Sequence, residues 1–172
     1  MYEIQFSERQ NYRQIWVWVL LLSVAGLFLW GIVQQIFLNI PFGNQPASDT
    51  LLMSLSLVPM ALIGMFLYLR LDTDVNGTGI RIQYRPFHMK PRFIDWKDVK
   101  SIELKRISPW KLGGWGLRFS GTSIVYSVGG NTYLKLTYSR GRALLIGTQR
   151  PKELQEALKK CLPPGKPLDS DY

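Results

Sequence analysis

The chain reads as a membrane α-helical hairpin of two spanning helices followed by a mainly-β domain. That domain holds about seven antiparallel strands closed by a C-terminal amphipathic helix. Three changes of hydrophobic period predict this. Uncharged apolar runs occupy 15–33 and 51–69, alternation with period two begins at Asp72, and a helical period returns over 151–161. With 47% hydrophobic and 13% aromatic residues among 172, the chain can build a packed core and is no disordered linker. The length suits one modest domain plus a membrane segment.

The first run, IWVWVLLLSVAGLFLWGIV, carries neither charge nor proline; the second, LLMSLSLVPMALIGMFLYL, is uncharged and contains Pro59. At 1.5 Å per residue, about 20 helical residues cross a hydrocarbon core roughly 30 Å thick, so both have spanning length. A core helix of a soluble domain shows a polar stripe at helical spacing, and neither run has one. The first run is too long for a signal-peptide core and meets Gln34 and Gln35 rather than a cleavage site, so it is expected to stay attached. Arg9 and Arg13 precede it, and Arg70, Arg81 and Arg85 follow the second run. The stretch 34–50 has no Lys or Arg and a single charge, Asp49. Positive-inside bias then predicts cytoplasmic N- and C-termini and an extracytoplasmic connector. Trp16, Trp18, Trp30 and Tyr68 fall toward span ends as interfacial anchors. Gly26, Gly31 and Gly64 read as positions permitting close helix contact, and Pro59 predicts a mild kink. Neither run holds an Asp, Glu, Lys, Arg or His, which favours an anchor over a transport path. The predicted organisation is a cytoplasmic segment at 1–14, spans at 15–38 and 51–70, a connector at 39–50, a domain at 71–162 and a flexible tail at 163–172.

In the domain, Ile80, Ile82 and Tyr84 alternate with Arg81, Gln83 and Arg85. Asn76-Gly77 just before them marks a tight turn, predicting a hairpin of 71–75 with 78–87. Extended segments follow at 92–96, 101–107, 115–119, 123–128, 132–138 and 142–146, punctuated by Gly121, Gly129-Gly130-Asn131 and Ser139-Arg140-Gly141. The opening residues Tyr2-Glu3-Ile4-Gln5-Phe6-Ser7 also alternate, a pattern able to fill an open sheet edge in cis. Over 151–161, Leu154, Ala157, Leu158 and Cys161 form one apolar stripe, with Thr148 or Arg150 as cap and Lys159-Lys160 suiting the C-terminal dipole. Pro163-Pro164-Gly165 ends the helix, and Cys161 reads as a small buried hydrophobe.

A meander of short antiparallel strands closed by one amphipathic helix is the pleckstrin-homology (PH) architecture, in which the helix plugs an open end of a bent sheet. Three stretches, FIDWKDV at 93–99, SPWKLGGWGLR at 108–118 and LIGTQRPKEL at 145–154, resemble a family of uncharacterised bacterial membrane proteins. Members carry a two-helix anchor and a bacterial PH-like domain, and the similarity runs from Phe6 to Leu158. The GGWG and IGTQ-x-P-x-EL pieces are distinctive, whereas D-W-x-D-V is common to many PH-like sheets. The resemblance implies a fold and a place in the bacterial cytoplasmic (inner) membrane. It implies no catalytic residue and no particular ligand.

Few residues suggest chemistry. One cysteine and one histidine exclude an internal disulfide, a Cys-rich zinc site and His-clustered metal chemistry. His88 lies in a proline-bounded turn and reads as solvated. Asp95 and Asp98 read as turn or cap residues, and Asp72 with Asp74 would share a strand face but make a poor cation site. Gly113-Gly114-Trp115-Gly116 lacks the phosphate-loop pattern and precedes a strand, so it reads as a sharp bend. No enzyme activity, cofactor or metal is expected.

Charge is more informative. From Arg70 onward Lys+Arg number 19 against 9 Asp+Glu, a surplus of ten. A domain tethered within a few residues of an anionic leaflet gains about 1 kcal/mol per nearby Lys or Arg, which favours lipid over nucleic acid. Lys105, Arg106, Lys111 and Arg118, with Trp110 and Trp115, are the candidate membrane-surface contact, Trp110 being the interfacial anchor. Specific inositide recognition is not expected, because the first hairpin loop, Val75-Asn76-Gly77-Thr78, has no Lys or Arg. The expected role is a membrane-anchored platform for lipid headgroups or another membrane protein. The alternatives are an accessory subunit of a larger complex and a small ligand sensor or enzyme at the membrane face.

Overall fold

The structure, a computed structural model, describes residues 4–138, 141–163, 165–166 and 168–170, with Ser120 by its backbone alone. The expected turn residues Ser139 and Arg140, the opening Tyr2 and Glu3, and Pro164, Pro167, Asp171 and Tyr172 of the tail lie outside the described residues. The chain divides into two compact units: Arg13–Tyr68, and Met1–Tyr12 joined with Leu69–Tyr172.

The first unit is a helical hairpin. Helix α1 (Ile15–Ile32) runs on through one π-helical turn, Val33–Phe37, and α2 covers Asp49–Tyr68. Both are long and apolar enough to cross a membrane. Only Val17, Ala25 and Gly31 of α1 and Leu52 and Pro59 of α2 are buried, so apolar side chains face outward around both helices. A core helix would hide most of that surface. The connector is tied back to the helix ends: Gln35 Nε2 donates to the Ala47 carbonyl (2.7 Å) and to Asp49 Oδ1 (2.6 Å). Asp49 also lies in the first turn of α2, where its charge complements the helix dipole. Among the three glycines expected to permit helix contact, Gly31 packs against the Phe42 ring of the connector, while Gly26 and Gly64 face open space.

The second unit holds ten strands among the described residues, in two sheets, with one helix. The strands are β1 (Ile4–Asn11), β2 (Arg70–Asn76), β3 (Gly79–Arg85), β4 (Arg92–Asp95), β5 (Val99–Arg106), β6 (Gly116–Ser120), β7 (Ser123–Ser127), β8 (Thr132–Tyr138), β9 (Ala143–Thr148) and β10 (Leu168–Ser170); helix α3 is Pro151–Cys161. The first sheet has the order β1-β2-β3-β4 and the second β10-β5-β8-β9-β7-β6. The β2–β3 hairpin forms where Asn76-Gly77 predicts it. Asn76 Oδ1 accepts from the backbone N–H of Thr78 (3.1 Å) and of Gly79 (2.9 Å), closing the turn with its side chain. Gly79 is needed by its neighbour: a Cβ there would lie 2.2 Å from the Ile94 carbonyl oxygen on β4. Asp95 caps the short 3-10 turn Trp96–Asp98 by accepting from Lys97 N–H (2.8 Å). Trp96 is buried beneath it, its indole N–H donating to the Asn76 carbonyl (3.0 Å).

The main core draws on both sheets and on α3. Leu71, Ile80, Ile82 and Trp96 meet Ile102, Leu104, Leu134, Leu136 and the expected helix stripe Leu154, Ala157, Leu158 and Cys161. Helix α3 packs against β1 and β2.

Three expectations need correction. Ten strands replace the expected seven or so, because β1 and β10 join the eight segments that alternation marks. The pairing is not wholly antiparallel either: β7 runs parallel to β9, and β10 parallel to β5. The β6–β7 hairpin precedes β8 in the chain but docks outside β9, an order that local alternation does not encode. Finally, the tail is not wholly free. Leu168–Ser170 pairs with Ile102–Leu104, and Lys166 Nζ donates to the carbonyls of Trp96 and Val99. The opening strand, by contrast, does fill an edge in cis, with Phe6 opposite Val75 and Asn11 opposite Arg70.

Candidate membrane-contact turn

Between β5 and β6 the chain folds back over the outer face of the second sheet. Ile107 and Leu112 pack there against Val125, Tyr133, Ala143 and Leu145, a small second apolar cluster. Residues Pro109–Leu112 form one 3-10 turn, which Gly113 ends in the left-handed region (φ 80°). Gly114 N–H donates to the Pro109 carbonyl (2.7 Å) and completes the bend. The glycine run is thus a turn device, as its sequence suggests.

Four of the six expected contact residues gather on this bend. Leu112 anchors the turn, which leaves Trp110 78% exposed and Lys111 open to solvent. Trp115 stands beside Trp110 with ring centroids 6.5 Å apart, and its indole N–H donates to the Gly130 carbonyl (3.0 Å). The Arg118 guanidinium lies over the glycines, where a Cβ on Gly113 or Gly114 would come within 3.3 Å of it. Its charge also reaches the phenols of Tyr12 and Tyr84. Burial raises both phenols and the Arg118 charge partly offsets it. Tyr12 comes three residues before α1 begins.

The other two do not belong to the cluster. Lys105 is committed to Glu103 (2.7 Å), which Lys135 also approaches (3.3 Å). The hydrogen bond from Lys105, then that from Lys135, holds the Glu103 carboxyl below its ordinary range. Arg106 is the next residue on β5 and therefore points to the opposite face. With the amide oxygen of Asn131 turned toward it, its guanidinium makes two bonds there, at 2.9 and 3.1 Å.

Phe119 adds to the exposed surface: it is 78% exposed on edge strand β6, one residue from Arg118.

Elsewhere, Asp72 is bound by Arg9 (3.0 Å) and Arg70 (3.2 Å), and Asp74 by Arg81 (2.7 Å). The two carboxylates belong to a charge-paired sheet face. No group of three His, Cys, Asp or Glu able to hold a metal occurs among the described residues. His88 departs from expectation, being half-buried. Its Nδ1 accepts from Tyr84 N–H (3.4 Å), which leaves Nε2 facing the Tyr126 hydroxyl at 3.2 Å.

Neither a known protein family nor a curated protein matches this chain. The family resemblance therefore rests on the residues that carry it.

Proposed function

We propose that this is an integral protein of the bacterial inner membrane whose two apolar helices span the bilayer as a hairpin. Both termini lie in the cytoplasm. The β-rich unit is a PH-like platform resting on anionic headgroups through Trp110, Lys111, Trp115 and Arg118. What carries the reading is one observation: Trp110 stands 78% exposed on a glycine-closed turn that also presents Lys111 and Arg118. An indole that amphipathic suits the headgroup layer, and the cations beside it suit an anionic leaflet. Two sheets closed by an amphipathic helix support the PH-like reading, and the basic flanks Arg9, Arg13 and Arg70 support the orientation. Non-enzymatic presentation of this surface is the function proposed, with lipid as its first partner.

The test places an environment-sensitive fluorophore at Ser108→Cys in a Cys161→Ala background, with the full chain in nanodiscs. Phosphatidylglycerol discs should shift its emission to the blue relative to phosphatidylcholine discs, and Trp110→Ser with Lys111→Ser should abolish the shift. Identical emission in both lipids would overturn the proposal.

A further inference from the structure

A groove of about 550 Å³ opens between β4 and the β7–β9 end of the second sheet, away from the Trp110 turn in sequence. Its volume falls within the range of about 300–1,000 Å³ usual for small-ligand pockets. Three elements build it. The β4 segment and its 3-10 turn bring Arg92, Phe93, Ile94, Lys97 and Asp98; the β6–β7 turn and β7 bring Thr122 and Ile124. The β8–β9 hairpin brings Tyr138, Arg142, Ala143 and Leu144.

The lining has two chemistries. Ile94 and Leu144 are buried in the main core and, with half-buried Ile124, form an apolar floor, with Phe93 half exposed at one side. Arg92, Lys97 and Arg142 are exposed at the rim, and none has an ion pair among the described residues. Asp98 is the only carboxylate among the described lining residues, whose formal charges sum to a surplus of two positive charges. These cations differ from the arginines on the charge-paired face of the first sheet, where Arg9, Arg70 and Arg81 are each matched to an aspartate. Tyr138 adds a hydroxyl donor. Burial raises its phenol, while Arg92 draws it back, so it keeps its proton at neutral pH.

We infer that this groove binds an organic phosphate, a phosphomonoester carried on an apolar or aromatic body. A phosphomonoester carries a charge of about −1.5 to −2 at neutral pH, which matches the surplus at the rim. Two arginines are suited to its oxygens, since the guanidinium fork meets phosphate through paired N–H donors. The floor of Ile94, Ile124 and Leu144, with Phe93 beside it, takes the body of the ligand, which inorganic phosphate lacks. The headgroup of a phosphatidic acid and a soluble aryl or alkyl phosphate share this chemistry.

Calorimetry on the full chain in phosphatidylcholine nanodiscs tests it, with phenyl phosphate as probe and inorganic phosphate as reference. Phenyl phosphate should bind saturably and more tightly than inorganic phosphate. Arg92→Gln and Arg142→Gln should each weaken it by about tenfold or more, while Lys152→Gln, exposed on α3 outside the groove, leaves it unchanged. Both changed residues are exposed, and a thermal melt of each variant confirms that the fold is intact. Absence of saturable binding, or an affinity that neither substitution alters, would overturn the inference. Repeating the titration with phosphatidic acid in the discs separates the sources. A fall in apparent affinity for phenyl phosphate shows that the lipid occupies the groove, and an unchanged affinity shows that a soluble phosphate is the ligand.

Discussion

His88 sits where the loop between β3 and β4 folds back onto Tyr126, with the two rings 5.1 Å apart and edge-on. Burial lowers its pKa below the ordinary 6.5, and the nearby Arg92 charge lowers it further. The neutral ring is therefore the folded form, and Nδ1 must stay unprotonated to accept from Tyr84. Above pH 6.5 both folded and unfolded chains hold a neutral imidazole, and the full contribution to stability is present. As pH falls through 6.5 the unfolded chain takes up a proton first, so stability is lost until the folded-state pKa is passed. Melting temperatures of the full chain in detergent should thus drop between pH 7.5 and 5.5, and His88→Gln should flatten that drop. An equal drop in the variant would show that other groups set the pH dependence. A one-residue reading of the sequence sees only a histidine between prolines. Its partner Tyr126 is far along the chain, so neither its burial nor its shifted proton affinity is visible there.

At the scale of elements, β1 is the segment with the most distant obligations. Glu8 is 5% exposed, accepting from Thr148 Oγ1 (2.7 Å) at the end of β9 and from Gln149 N–H (2.8 Å) just after it, and Gln10 Nε2 donates to the Gly147 carbonyl (2.7 Å). The strand therefore joins the first sheet to the end of the second. Glu8→Ala, which strands two donors in a buried place, should destabilise the full chain by about 1–3 kcal/mol in denaturant titrations. Ser7→Ala, which removes an exposed bond to Asp74 (2.7 Å), should change stability by no more than about 0.5 kcal/mol. Equal effects would mean that β1 is held by its ladder alone. Local patterning foretells the eight middle strands and α3 because burial repeats every second residue in one case and every third or fourth in the other. It says little of β10, only Leu168–Ser170 long, or of the parallel β7–β9 pairing, which depends on which hairpin docks where. The contact turn follows the same logic. Trp110, Lys111, Trp115 and Arg118 are neighbours in sequence and meet in space. Lys105 is instead taken by Glu103, two residues away on the same strand face, and the groove cations come from separate elements.

For the molecule as a whole, the covalent order and the strand pairing constrain one another. The segment Arg13–Tyr68 is inserted between β1 and β2, whose ends Asn11 and Arg70 are paired residues. A hairpin leaving and returning at one strand pair has both its open ends on the same side. If the proposed topology holds, impermeant maleimide should label Asn44→Cys in intact spheroplasts but label Lys152→Cys only after lysis, both in a Cys161→Ala background. Labelling of both sites from the same side would exclude the spanning arrangement. Under the proposed spanning arrangement, the hairpin would also give biosynthesis a built-in checkpoint. The ribosome releases β1 before either apolar helix and β2 only after both, so the first strand waits unpartnered while the bilayer takes up the helices. If the second helix fails to insert, the two strands end on opposite sides of the lipid and the sheet cannot close, leaving its core open to proteases. In that arrangement a folded domain would certify a correctly inserted anchor.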